Sequence, residues 1–274
     1  MRVALGQISS TKDLETNLKQ VSSAAERAAQ AGAVVIIFPE AAMLAFGGRL
    51  HDDAAAGKRR WEEGLARVAA QHEITVVAGG FTPEENTDPQ APRVTNELRV
   101  VTPEGQQTVY TKIHLYDAFG FQESEGVAEG SEPVTVEIAG VTFGLTTCYD
   151  VRFPKLYAEL SRAGAQVMVV AASWAGGEGK LAQWQLLTSA RALDSNSFVI
   201  AVDQADPRAS EFQSPDTDIT GPYGVGFSRV VSPFGVTVAE LGMEPAVEVV
   251  DLDLSLVEKA KESLPILKNA KLGY

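Results

Sequence analysis

Apolar residues recur along this chain in two rhythms, and the switches between them mark most of its elements. Leu14, Leu18, Val21, Ala25 and Ala28 fall at helical spacing behind Asp13, a suitable helix cap, and Gly32 ends the segment. Residues 2–8 before it read as a strand. After it, Val34-Val35-Ile36-Ile37-Phe38 is a short continuous apolar run, the pattern of a strand covered on both faces, and Pro39-Glu40 stops it. The unit repeats, with helical spacing over 61–71 and a buried strand over 74–80 that closes on two glycines.

Past a polar loop with Pro83, Pro89 and Pro92 the organisation becomes antiparallel. Segments 95–102 and 106–113 flank Pro103-Glu104-Gly105, a turn signal that predicts a hairpin. A long loop over 114–130 leads to a second hairpin, 134–138 and 141–147, joined at Ala139-Gly140. A helix over 153–163, a buried strand over 166–172, a helix over 181–194 and a strand over 198–202 then restore the first pattern. An irregular loop over 204–222 follows, with strand pieces near 226–232 and 236–240 around Pro233-Phe234-Gly235. A strand over 246–252 and a helix from near Asp253 complete the chain. Two β-α-β halves around hairpins predict an α/β fold of two facing sheets with helices outside, a four-layer α-β-β-α sandwich. With no repeat, low-complexity tract or linker in view, residues 1–274 are expected to form one domain.

Composition narrows the function. An apolar fraction of 45% and a charged fraction of 22% are those of a globular protein without an unbroken membrane span. The 23 Lys and Arg against 36 Asp and Glu leave a net charge of −13, which repels nucleic acid and anionic lipid, so neither is expected as a partner. The N-terminus runs straight into a strand-like segment, and a cytoplasmic protein is expected. One cysteine allows no intramolecular disulfide, and His51, His72 and His114 lack metal-ligand spacing, so no metal is expected.

Three residues stand at strand ends. The strand 141–147 stops at Cys148, and Tyr149-Asp150-Val151-Arg152-Phe153-Pro154 leads into a helix. A thiol on such a turn meets free helix N–H groups that stabilise a thiolate and a developing oxyanion, whereas a lone cysteine elsewhere is usually a small buried hydrophobe. Glu40 follows the most apolar run of the chain, where desolvation would raise its pKa towards that of a general base; a solvated glutamate opening a loop is the alternative. Lys112 ends the strand 108–111, and an apolar stretch closing on a charge implies a partner, although a surface lysine is the commoner case.

Taken together, Phe38-Pro39-Glu40, Tyr110-Thr111-Lys112-Ile113-His114-Leu115 and Cys148-Tyr149-Asp150-Val151-Arg152-Phe153-Pro154 resemble, in order and spacing, the three signatures of the nitrilase superfamily of carbon–nitrogen hydrolases. Gly6-Gln7, Gln183-Trp184, Arg191-Ala192 and Ser232-Pro233-Phe234-Gly235 extend the likeness over the whole chain. The resemblance implies a single carbon–nitrogen hydrolase domain with the α-β-β-α fold and a homodimer or larger homo-oligomer built by two-fold sheet extension. It further implies a catalytic triad of Cys148 as nucleophile, Glu40 as general base and Lys112 as electrostatic partner. Glu123 would be a fourth catalytic residue orienting Lys112 or the substrate nitrogen. The implied reaction passes through a thioester without a cofactor: Glu40 takes the thiol proton, Lys112 and the Tyr149 N–H stabilise the oxyanion, and water completes hydrolysis.

Cys-Tyr-Asp-Val-Arg-Phe is most similar to the branch of omega-amidases and deaminated-glutathione amidases, which implies that Arg152 grips a substrate carboxylate; an ion pair with Asp150 or another surface acid is the plainer reading. The branch's Phe-Thr-x-x-Thr-Gly-like segment is replaced by Ser173-Trp174-Ala175-Gly176-Gly177-Glu178-Gly179-Lys180, which brings Trp174 to the substrate side. Lys180 would add a cation for an acidic substrate, or is simply solvated beside its glycines. Val225-Gly226-Phe227-Ser228 likewise departs from the branch's Tyr-Gly-His-Ser, suggesting a rebuilt acyl pocket. The expected activity is hydrolysis of a small, carboxylate-bearing amide. A nitrilase or an N-carbamoyl amino-acid hydrolase would use the same triad, and a catalytically silent binding protein would keep the fold.

Overall fold

A strand covered on both faces sends alternate side chains into opposite cores, and the continuous apolar runs do this throughout. In the computed structural model, which describes residues 1–47, 49–85, 88, 90–209 and 222–271, Val3 and Leu5 enter one core while Ala4 enters another. Val35 and Ile37 part from Ile36 and Phe38 in the same way, as do Val167 and Val169 from Met168 and Val170. Three cores result, a central one between two sheets and an outer one between each sheet and its helices. This is the α-β-β-α sandwich that the sequence predicts.

The first half contains β1 (Arg2–Gln7), α1 (Leu14–Gln30), β2 (Val35–Ile37), α2 (Leu50–His72), β3 (Thr75–Pro83), β4 (Val94–Val101) and β5 (Gln107–Thr111). Short pieces follow: β6 (Asp117–Ala118), β7 (Phe121–Gln122), a 3-10 turn at Glu123–Glu125 and β8 (Val127–Ala128). The second half contains β9 (Val134–Ile138), β10 (Val141–Thr147), a 3-10 turn at Cys148–Arg152, α3 (Pro154–Arg162), β11 (Val167–Ala172), α4 (Lys180–Ser195) and β12 (Phe198–Asp203). It closes with β13 (Arg229–Val231), β14 (Thr237–Glu240), β15 (Ala246–Asp251), α5 (Ser255–Ser263) and α6 (Ile266–Asn269).

One sheet runs β15-β1-β2-β3-β4-β5, with β8 beside β4, and the other runs β14-β13-β12-β11-β10-β9. Each carries three parallel strands, β1-β2-β3 and β10-β11-β12, flanked by antiparallel ones. The carboxyl ends of parallel strands are where α/β folds gather their ligands, because the chain must turn there and expose side chains and free amides. Glu40, Cys148 and Ser173 lie just past the ends of β2, β10 and β11.

Two expectations need correction. The second helix begins at Leu50, well before residue 61, because its first turns are rich in alanine and polar residues and only Ala54 and Gly57 are buried there. Asp52 and Asp53 in that first turn complement the positive end of the helix dipole. The loop 114–130 is partly structured, its β6–β7 hairpin and β8 being too short for a periodic signal. Of the irregular segment expected at 204–222, residues 210–221 lie outside the described residues. Among the described residues no helix is long and apolar enough to cross a membrane.

Candidate active site

Glu40 is placed by β3. Beyond β2 the Phe38 N–H bonds to the Val77 carbonyl at 2.7 Å, the Gly79 N–H to the Pro39 carbonyl at 3.1 Å and the Met43 N–H to the Gly79 carbonyl at 3.0 Å. A Cβ on residue 79 would stand 2.6 Å from the Glu40 Cα, so only glycine lets β3 approach this closely. Lys112 extends β5 by one residue, its N–H bonded to the Asn96 carbonyl at 2.9 Å and its carbonyl to the Gly130 N–H at 2.8 Å. Gly130 is required in turn, because a Cβ there would overlap the Thr111 carbonyl. Cys148 takes a left-handed backbone, φ 48°, at the corner between β10 and its 3-10 turn. That is a costly conformation for a non-glycine residue, and the surrounding structure must hold it.

These elements bring the three strand-end residues to one buried point. Lys112 Nζ lies 2.9 Å from Glu40 Oε1 and within 2.9–3.0 Å of both Glu123 oxygens. The Asn96 amide donates to Glu40 Oε1 at 2.7 Å and to Glu123 Oε1 at 3.2 Å, the Ser173 N–H donates to Glu40 Oε2 at 2.9 Å, and the Tyr116 N–H to Glu123 Oε2 at 2.7 Å. Glu40 and Lys112 come from one sheet, Cys148 and Ser173 from the other. The site therefore straddles the seam between them.

Burial raises the Glu40 carboxyl above its usual range; the Lys112 ammonium opposes that shift and Glu123 adds to it. For Lys112 burial works against the charge, but Glu123 and Glu40 overcome it and hold the ammonium well above its ordinary value. Burial, reinforced by Glu40, pushes the Cys148 thiol well up. A protonated thiol, with Sγ 4.0 Å from the Ser173 carbonyl oxygen, thus shares the wall of one pocket with a carboxylate of enhanced basicity. The arrangement can pass a proton from sulfur to Glu40 as the sulfur attacks an electrophile, with Lys112 nearby to meet negative charge.

A pocket of about 390 Å³, counting its open mouth, reaches this point and is walled by Glu40, Lys112, Glu123, Cys148, Tyr149, Arg152, Trp174 and Lys180 together with Phe46, Tyr116, Phe121, Ser173, Ala175 and Pro222. The residues expected from the sequence to be catalytic or substrate-binding, Glu40, Lys112, Cys148, Glu123, Arg152, Tyr149, Trp174 and Lys180, therefore all lie on its wall. Arg152 does not pair with Asp150: it donates to Gln183 Oε1 at 2.7 Å and lies 5.1 Å and 5.7 Å from the Trp174 and Tyr149 ring centres. Asp150 is instead taken up by Tyr110, His114 and Thr147. Lys180 is not simply solvated. Its ammonium sits 4.1 Å from the Phe119 ring centre and 3.3 Å from the Tyr116 hydroxyl, and burial, with Arg152 adding to it, lowers its pKa. Among the described residues neither cation has a carboxylate partner.

Trp174 is fixed by its N–H to Asp203 at 2.8 Å and its indole N–H to the Lys180 carbonyl at 3.0 Å. In the departing segment 225–228, Val225 and Phe227 are not on this pocket's wall; they pack with the outer core beneath α4, which also holds Trp174 and Trp184. Sequence reasoning missed Asn96, Tyr116, Phe46, Phe121 and the Ser173 amide. Asn96 left a signal: it shares the buried phase of β4 with Val94, Leu98 and Val100, where a lone amide needs partners. The others come from loops, from the two-residue strand β7 or from the backbone, none of which carries a periodic pattern.

Comparison with known proteins agrees with this architecture. A family model described as carbon-nitrogen hydrolase matches residues 2–262. The chain is 47% identical over 272 residues to Hydrolase Rv0480c of Mycobacterium tuberculosis, covering 98% of this chain and 95% of that protein. It is 30% identical over 277 residues to the deaminated glutathione amidase of Escherichia coli O157:H7, covering 100% and 98%. The crystal structure of Saccharomyces cerevisiae Nit3, a member of branch 10 of the nitrilase superfamily, superposes with a TM-score of 0.79 at 26% identity, covering 99% of this chain and 97% of that one.

Proposed function

The chain belongs to the carbon–nitrogen hydrolase family of the nitrilase superfamily, and from that premise we propose that it is a cysteine amidase cleaving a small carboxylate-bearing amide through a thioester. The observation that carries this reading is the convergence of Glu40, Lys112, Glu123 and Cys148 on the floor of one pocket whose wall holds two cations that have no carboxylate partner among the described residues. Glu40 accepts the thiol proton while Sγ attacks the carbonyl carbon. The oxyanion is met by Lys112 and the Tyr149 N–H, and collapse expels the amine or ammonia, which takes its proton from Glu40. Glu40 then draws a proton from water, the hydroxide oxygen adds to the thioester, and the acid leaves as the thiol is restored.

Glu123 acts through Lys112, holding its ammonium against both oxygens so that the amine does not rotate away from the reacting centre. Arg152, steadied by Gln183 and the flanking rings, receives the substrate carboxylate, with Trp174 as the flat wall beside it and Lys180 as a second cation. A homodimer or larger homo-oligomer and a cytoplasmic location belong to the same proposal. The location is supported by a mechanism that needs the single cysteine to stay reduced. An ammonia-release screen over monoamides of dicarboxylic and 2-oxo-dicarboxylic acids, carbamoyl amino acids and simple nitriles tests it. Acidic monoamides should turn over and nitriles should not; turnover of nitriles alone would replace the amidase reading with a nitrilase.

A further inference from the structure

Asp150 lies two residues after Cys148, fully buried and absent from the pocket wall. Its carboxylate gathers four donors. Oδ2 accepts from the Thr147 N–H at 2.8 Å and the Tyr110 hydroxyl at 2.7 Å; Oδ1 accepts from the His114 N–H at 3.1 Å and lies 2.7 Å from His114 Nδ1. Thr147 ends β10 immediately before the nucleophile. Tyr110 and His114 belong to the opposite sheet and its outgoing loop, and they bracket Lys112 two residues to either side. The Tyr110 hydroxyl also accepts from the Ile113 N–H at 3.2 Å, and the His114 ring stacks on Phe153 with centres 3.7 Å apart.

We propose that Asp150 is a positioning residue that ties the Lys112 segment to the Cys148 turn across the seam between the sheets and so fixes the ammonium relative to the sulfur. Cys148 and Lys112 stand on separate sheets; the core between those sheets is apolar and carries little directional information, and the other polar ties beside the site, such as the Ser173 N–H to Glu40, do not reach the Lys112 segment directly. A buried carboxylate is costly there and is stabilised only by directional donors, so it specifies one relative placement of the two segments where an apolar side chain would allow sliding. The tie reaches both flanks of Lys112 and the residue before Cys148, and it leaves the substrate wall untouched.

The activity arm of the test rests on the amidase reading above; the labelling arm does not. Asp150→Asn keeps one acceptor oxygen but turns an amide NH₂ towards donors. The Tyr110 hydroxyl can rotate to accept, whereas one backbone N–H, of Thr147 or His114, is left facing another N–H. For the amide hydrolysed fastest in the screen, Asp150→Asn should lower kcat about a hundredfold per folded molecule, with KM changed by less than about threefold. Tyr110→Phe drops one tie and should lower kcat about tenfold, and the double variant should be no worse than Asp150→Asn alone. Iodoacetamide labelling of Cys148 should slow in the same order, because a displaced ammonium no longer favours the thiolate. Should Asp150→Asn not fold, Tyr110→Phe and His114→Ala carry the same measurements. Variants that melt earlier but keep wild-type kcat and labelling rate per folded molecule would overturn the proposal and leave Asp150 a support of the fold. Wild-type protein that hydrolyses no amide would sink the amidase reading, and the labelling rates would still decide on Asp150.

Discussion

Glu123→Gln replaces one of the two carboxylates that grip Lys112 and changes almost no volume. Wild-type Lys112 Nζ meets both Glu123 oxygens, at 3.0 and 2.9 Å, and one Glu40 oxygen at 2.9 Å. Glutamine offers one neutral oxygen, while its NH₂ must face the ammonium, the Asn96 amide or the Tyr116 N–H, all donors. The loss is one charge-assisted contact, about 1.5–3 kcal/mol, so kcat/KM should fall roughly ten- to a hundredfold or somewhat more. The pH profile gives an independent sign. Burial is the main reason that the Glu40 carboxyl titrates above its usual range, and the Glu123 charge adds to it. In the proposed mechanism Glu40 serves as base only when ionised, so activity should fall as pH drops through its raised pKa. Removing the Glu123 charge lowers that pKa, and the acid limb should move to lower pH. Stopped ammonia-release assays from acid to neutral pH, on wild type and variant, measure both effects. An unchanged acid limb with less than a threefold loss would mean that Glu123 does not act on Lys112 and Glu40 as argued.

Other outcomes follow from the same geometry. Cys148→Ala should abolish turnover, with circular dichroism and melting near wild type, because a small thiol is deleted from a turn held by Asp150; residual full activity would end the nucleophile assignment. Arg152→Lys should raise KM for acidic amides about ten- to a hundredfold and leave neutral amides nearly unchanged, since lysine lacks the planar fork; equal losses on both would make Arg152 a support for Gln183 and the Trp174 ring. Gly79→Ala should destabilise the fold by about 1–3 kcal/mol and lower kcat, because its Cβ would press on the Glu40 backbone; urea titration and kinetics together check this, and a neutral outcome would show that β3 can move away.

The sequence by itself determined the layers. Runs such as 34–38 and 167–172 are apolar in both phases, which requires a core on either side, and the helical stretches between them carry one apolar face each. It also determined which residues stand at strand ends, because Pro39-Glu40 and Cys148 interrupt those runs, and the family likeness joined them to Lys112. Long-range partnership was decided only in the tertiary structure. Asn96 showed as a polar residue in a buried phase, but its bonds to Glu40 and Glu123 span 56 and 27 residues. Lys112 looked most like a surface lysine until the fold placed two carboxylates against it. Arg152 could have paired with Asp150 two residues away, yet Gln183 and Trp174 reach it from other elements while Asp150 is drawn across the seam to Tyr110 and His114. The physical reason is that periodicity records which face of an element avoids water, a property each residue carries locally. Hydrogen bonds and ion pairs depend on distances of about 3 Å between chain segments, which are fixed only when the sheets have packed.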